Sequence, residues 1–151
     1  MSAEKQKPFN QSDLPGCSCT LGTLKRRSQI DFEIDFFERI LCRDVNYVEV
    51  LTRLGELLSL KGWHRRALQV DQRLSQLKPQ DPVVAYNLAC SYAVLNQAVT
   101  ALETLRLAVN LGYNDVDYLV LDPDFTLLHT HPEFQQLIRE LDGVRVAPRV
   151  I

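Results

Sequence analysis

Glycine is scarce in this chain. The six that occur are scattered, so none forms a Walker loop or a dinucleotide-binding turn of the kind that cradles phosphate on backbone N–H groups. Charge of one sign is lacking too. A formal net charge of −2 removes the bulk electrostatic case for nucleic acid or an anionic membrane surface as a partner. The charge is uneven, +3 over residues 1–79 and −5 over residues 80–151, which reads as two differently solvated ends. Long apolar runs are missing. No window approaches the roughly 20 apolar residues of a membrane span. The first twenty residues, MSAEKQKPFNQSDLPGCSCT, hold no stretch that would serve as a secretory signal. The four cysteines, Cys17, Cys19, Cys42 and Cys90, fall two in a polar stretch and two within expected helices, as reduced thiols do rather than a disulfide framework. A cytoplasmic protein is expected. At 151 residues it is one domain by the usual length prior, long enough to bury about two-thirds of its unfolded surface.

What is present is helical periodicity. Residues 1–27 mix Lys, Gln, Ser, Pro and Gly without a period and read as a flexible arm, with Leu14, Leu21 and Leu24 as docking points. The leading helix, 28–43, opens on Ser28 as N-cap with Asp31 in the first turn, where both answer free backbone N–H groups. Ile30, Ile34, Phe37 and Leu41 then share one face. A second helix runs from about Tyr47 to Leu60 and stops at Lys61-Gly62; a third runs from about Arg65 to Leu77, before Pro79. Asp81-Pro82 supplies an N-cap and a proline at the first helical position for a fourth. That helix ends near Leu95-Asn96, asparagine being tolerant of the left-handed conformation, and the fifth, Ala98 to Leu111, ends at Gly112.

The helices repeat. A shift of 34 residues lays Leu54 on Leu88, Gly55 on Ala89, Ala67 on Ala101, Leu68 on Leu102 and Leu77 on Leu111, and a helix–turn–helix in each period resembles the tetratricopeptide repeat family over roughly residues 30–122. Leu54-Gly55 and Leu88-Ala89 match the leucine and small residue at that family's helix crossing, Ala67 and Ala101 its small residue in the second helix, and Pro79 its closing proline. Asp71 and Leu105 stand where the family has an aromatic, and Tyr113 where it has the second closing proline. The resemblance implies an all-α, right-handed solenoid over residues 28–143. Its parts are the leading helix, unit 1 at 47–79, unit 2 at 82–112, and a truncated unit with a capping helix at 116–143, followed by a tail at 144–151. Pro123 must stop the third unit's first helix early. The stripe Phe134, Leu137, Ile138 and Leu141 suits a cap on an exposed solenoid end.

Candidate chemistry is sparse. Cys17-x-Cys19 and His129-x-His131 lack the usual spacing of a structural zinc site, and His131 reads as a cap before Pro132. Cys42 stands near a helix C-terminus, where the dipole disfavours a thiolate, and Cys90 has no histidine on its face. Asp115, Asp117, Asp122 and Asp124 do not follow a calcium loop and read as caps. Lys25-Arg26-Arg27 and Arg65-Arg66 are too short for a nucleic-acid stripe. No enzyme, metal or cofactor is expected.

The tetratricopeptide resemblance implies a concave groove lined by the first helix of each unit. Its outward positions are Glu49, Thr52, Arg53, Glu56 and Ser59, polar and charged, then Val83, Tyr86, Asn87, Cys90 and Val94, mostly apolar. A protein or peptide segment would lie along them, bonded by Asn87 and packed on Tyr86. The family's clamp for chaperone C-terminal carboxylates is disfavoured, because of its residues only Asn87 is matched and Glu56 would repel a carboxylate. The expected function is a non-enzymatic interaction scaffold. The alternative is a dedicated chaperone-like adaptor that shields an apolar segment of one client.

The leading helix carries a second apolar stripe, Phe32, Phe36 and Ile40, roughly 130° from the first at 100° per residue. Monomers rarely tolerate such a patch exposed, so either the arm folds back over it through Leu14, Leu21 and Leu24 or, the sharper expectation, a second copy covers it in a homodimer.

Overall fold

The computed structural model describes residues 28–146, with side chains described through residue 143. The readings of residues 1–27 and of the end of the tail, including Leu14, Cys17, Cys19, Leu21, Leu24 and the Lys25–Arg27 cluster, lie outside the described residues. Every regular element among those described is helical. In order they are α1 (Gln29–Leu41), α2 (Val48–Leu60), α3 (His64–Leu77), α4 (Pro82–Val94), α5 (Ala98–Asn110), α6 (Val116–Leu121), a 3-10 helix (Pro123–Leu128) and α7 (Pro132–Val146). They group into two compact units, divided between Leu77 and Lys78.

The helix ends follow local chemistry. Ser28 and Asp31 form a full capping box: the Asp31 N–H donates to Ser28 Oγ at 3.2 Å and the Ser28 N–H to Asp31 Oδ2 at 3.3 Å. Asp81 accepts the N–H groups of Val83 and Val84, with Pro82 in the first turn as expected. Asn96 has φ 59° and Gly112 φ 110°, the left-handed backbone that ends α4 and α5. Pro123 confines α6 to six residues, and Asp122 caps the 3-10 helix that replaces its continuation.

In the first unit α1 packs on α2 and α2 on α3. Ile34 and Leu41 of α1, Leu51, Leu54 and Leu58 of α2, and Ala67, Val70 and Leu74 of α3 are buried. Gly55 marks the α2–α3 crossing. A Cβ there would stand 3.2 Å from Asp71 Oδ1 and 3.5 Å from Val70 Cγ1, so the helices approach over a position without a side chain. Lys61 reaches back 2.8 Å to Asp31, fastening the end of α2 to the start of α1.

The second unit is built on alanine. Ala85, Ala89, Ala93, Ala101 and Ala108 are buried where α4 and α5 face each other. Val116 and Leu119 of α6, Phe125 and Leu128 of the 3-10 helix, and Phe134, Leu137 and Leu141 of α7 complete the same core. Arg106 pairs with Glu140 at 3.0 Å, joining α5 to α7.

Candidate functional site

The outward positions of α2 are solvent-facing as expected, but much of their polarity is already used within the helix. Glu49, Arg53, Glu56 and Ser59 are exposed and Thr52 is half-buried. The Thr52 hydroxyl donates to the Val48 carbonyl at 2.9 Å, and Arg53 pairs with Glu56 at 2.6 Å. Such an exposed pair is worth well under about 1 kcal/mol, so either charge can be turned to an incoming group at little cost.

On α4 the row Val83, Asn87, Cys90 and Val94 follows the spacing i, i+4, i+7, i+11 of a single helical face. Val83 (55%) and Asn87 are exposed, and Cys90 and Val94 are half-buried. The helix, PVVAYNLACSYAV, has no charged residue and is apolar on nearly every side. A helix of that kind ordinarily lies fully inside a protein. Here one face does not.

Tyr86 departs from expectation. The sequence places it outward as a packing platform, yet it is only 4% exposed. Its ring stacks on Tyr113 at 4.2 Å between centroids and 12° between planes, meets Phe125 edge-on at 5.6 Å, and lies 6.0 Å from Tyr118. Its hydroxyl donates to Asp122 Oδ2 at 2.6 Å. The physical reason is the early end of α6. Pro123 turns the chain into the 3-10 helix, so that Phe125 and Asp122 come over α4, one offering an aromatic edge and the other an acceptor for an otherwise buried phenol. Tyr86 therefore supports the exposed face from beneath and does not line it.

Cys90 belongs to the same assembly. Its thiol lies 3.8 Å from Asp122 Oδ2, while Asp122 Oδ1 accepts the Asp124 N–H at 2.9 Å. Burial, followed by the nearby carboxylates, pushes both the Tyr86 phenol and the Cys90 thiol well above their ordinary values. Burial raises Tyr113 to about 12. Ligating atoms of Cys90, Asp122 and Asp124 lie within 4.8 Å of one another. However, both Asp122 oxygens already accept hydrogen bonds, from Tyr86 and Cys90 on one side and the Asp124 backbone on the other. The cluster is explained as a cap and a phenol clamp.

A protonated thiol is a poor nucleophile. At pH 7.5, iodoacetamide is expected to label Cys90 at least about tenfold more slowly in the native chain than in urea, one pKa unit being a tenfold loss of thiolate. The readout is peptide mapping by mass spectrometry, and equal rates would show that burial does not hold the proton on sulfur. The native rate should begin its rise at a higher pH than that of the unfolded thiol.

Asp115 accepts the Tyr118 N–H at 3.0 Å, a cap as expected. The histidines sit apart from this cluster. His129 stacks on Phe134 at 5.3 Å and, with Val120, Gln135, Ile138 and Arg139, borders a cleft of about 320 Å³. His129 Nε2 and His131 Nδ1 are buried without a hydrogen-bond partner among the described residues.

No protein-family model matches the chain. Among curated proteins it is similar to a chloroplastic protein of Arabidopsis thaliana, with 32% identity over 93 residues. That match covers 60% of this chain but 28% of the relative, so the chain spans less than a third of the protein it resembles. No membrane-length apolar helix occurs among the described residues.

Sequence reasoning misses Tyr113, Asp122 and Phe125 as partners of α4. It reads Asp122 only as a cap, which it is, because a carboxylate's second oxygen leaves no trace in a local pattern. The one available signal is an aromatic-rich run, Tyr113, Tyr118 and Phe125, beside a helix too apolar to be amphipathic.

Proposed function

We propose that this chain is a short tetratricopeptide-type scaffold, a right-handed solenoid closed by α7, that holds a protein or peptide segment and performs no chemistry of its own. The observation that carries the reading is the uncharged face of α4. Val83, Asn87, Cys90 and Val94 stand at or near solvent on a helix whose composition calls for burial, over a rigid base of Tyr86, Tyr113 and Phe125. Apolar side chains of a partner fit between Val83 and Val94, and the Asn87 amide offers a donor and an acceptor to its backbone. The α2 face, Glu49, Thr52, Arg53 and Glu56, suits polar or charged contacts. A cytoplasmic site of action is the first reading. The chloroplast named for the relative is the second, and imaging of a tagged full-length protein decides between them.

The test uses exposed residues, so that loss of binding is not loss of fold. Peptides selected from a random library on the wild-type protein would be titrated by fluorescence anisotropy against a Val83→Glu/Asn87→Ala variant. The variant is expected to bind at least about tenfold more weakly, the loss that follows when an interface anchor worth about 1.4 kcal/mol or more is removed. Equal affinity, with unchanged circular dichroism, would remove α4 from the binding surface.

A further inference from the structure

The second unit is strongly acidic. Residues 80–143 hold two arginines against nine aspartates and glutamates, and one of those arginines, Arg106, is already paired with Glu140. Four of the acids, Asp115, Asp117, Asp122 and Asp124, fall within a run of ten residues that contains no lysine, arginine or histidine. That run borders the exposed row of α4. Asp122 Oδ2 lies 3.8 Å from the Cys90 thiol, and a carboxylate oxygen of the exposed Asp124 is within 4.8 Å of both. The hydrogen bonds that Asp122 accepts come from a phenol, a thiol and a backbone N–H. All three donors are neutral, so they satisfy its oxygens without cancelling its charge. No lysine or arginine among the described residues pairs with Asp115 or Asp122.

An open aromatic ring stands among these carboxylates. Tyr118 is 58% exposed, Tyr86 meets it only at 6.0 Å and 52°, and no cation lies over it among the described residues. The Asp122 charge, ahead of partial burial, Asp124 and Asp115, pushes the Tyr118 phenol above its ordinary value, as expected of a ring inside their negative field. Apolar side chains reach solvent elsewhere too. On α1, Phe32 and Phe36 are exposed and Ile40 is half-buried. What sets α4 apart is that fixed charge of one sign runs along its edge.

We infer that the segment held on α4 carries a lysine or arginine that lies on the Tyr118 ring and faces Asp122 and Asp124, while apolar neighbours of that residue pack between Val83 and Val94. The inference rests on reading α4 as the binding face, and it names the chemistry of the partner. A cation gains there twice, from the face of the ring and from the carboxylates beside it. The alternatives fail on charge. An uncharged segment would take water from Asp122 and Asp124 and leave them unpaired, which is costly. An acidic segment or a nucleic-acid backbone is repelled. A metal ion needs free ligand atoms, yet both Asp122 oxygens are engaged and the Cys90 thiol keeps its proton. An ammonium or guanidinium brings its own donors and needs only to be near.

Peptides selected from a random library on the wild-type protein, in about 50 mM NaCl to limit screening, test this. They should be enriched in Lys and Arg beside apolar residues. Their affinity, read by fluorescence anisotropy, should fall at least about fivefold between about 50 and 500 mM NaCl. Asp115→Asn/Asp124→Asn changes two exposed acids and keeps a capping side chain at each, so the circular dichroism should not move. It should weaken binding by about fivefold at low salt and by little at high salt. Tyr118→Leu should weaken it about two- to fivefold, the range of an exposed cation–π contact. Replacing the peptide's Lys or Arg by Gln should abolish the effect of both variants. A selected pool no richer in Lys and Arg than the library overturns the inference, as does wild-type affinity from Asp115→Asn/Asp124→Asn at low salt. In either case the α4 reading stands if Val83→Glu/Asn87→Ala still weakens the same peptides. Peptides indifferent to Val83→Glu/Asn87→Ala overturn both.

Discussion

Phe125→Ala should lower the stability of the second unit by about 3–5 kcal/mol, the cost of deleting a fully buried aromatic side chain and leaving a cavity. Phe125 is 0% exposed. Its ring meets the edge of Tyr86 at 5.6 Å and lies 5.9 Å from Phe134. It thus joins the floor under α4 to the first turn of α7. Against the roughly 5–15 kcal/mol that holds a typical domain together, such a loss is large. It should appear as a clear fall in the midpoint of urea or thermal unfolding followed by circular dichroism. Leu127→Ala is the control. That leucine sits two residues away but is 69% exposed, and its loss should stay within about 0.5 kcal/mol. A Phe125→Ala cost below about 1 kcal/mol would mean that the aromatic cluster is not what seats the 3-10 helix on α4.

The same substitution bears on function. If α4 binds a partner through Val83 and Asn87, it does so because Tyr86 is fixed beneath them, and Tyr86 is fixed partly by Phe125. Library-selected peptides should therefore lose affinity for Phe125→Ala even at temperatures where the variant is still folded.

How much of this is legible in the chain depends on the range of the forces involved. The helix ends are readable because Ser28, Asp31, Asp81, Pro82, Asn96, Gly112 and Pro123 act on backbone groups within a few residues of themselves. The buried side of α1 is readable from Ile34 and Leu41, since the stripe they belong to keeps the helical period from end to end. Helix α4 is not. Valine, alanine, tyrosine, leucine and cysteine surround it almost completely, so periodicity cannot say which side turns inward, and it puts Tyr86 on the wrong one. The burial of Tyr86 depends on Asp122 and Phe125, 36 and 39 positions away, and on a chain reversal at Pro123 whose direction no local rule supplies. Glu38 escapes for a similar reason. A glutamate within an otherwise ordinary helix reads as solvated until its partner, 28 residues on, is brought beside it.

That partner carries the second large effect. Arg66→Met should cost the first unit roughly 3 kcal/mol at pH 7, the lower end of what breaking a buried ion pair costs. Glu38 on α1 is 6% exposed, and the Arg66 guanidinium on α3 donates to its carboxylate. Methionine keeps most of the apolar length of the side chain but loses the guanidinium, whose carbon stands 5.1 Å from the Trp63 ring centroid, so the main loss is the charge. The cost falls at the low end because Glu38 has an escape. Burial already raises its pKa above the ordinary 4.5, with Arg66 pulling the other way, so without Arg66 the carboxyl rises further and can take up a proton. The sign of the pH dependence follows. A group whose folded pKa is raised holds its proton to higher pH in the fold than in the unfolded chain. Its contribution is full below about 4.5 and is lost as pH rises through the folded value. The variant's deficit relative to wild type should thus be largest near neutrality and shrink toward pH 4.5. Urea unfolding at a series of pH values reads this directly. Glu38→Leu/Arg66→Met should recover most of the loss at pH 7, because two apolar side chains in place of a buried pair are often neutral or better. A deficit that is flat with pH, or a double variant as unstable as Arg66→Met alone, would show that Arg66 acts through packing and not by neutralising Glu38.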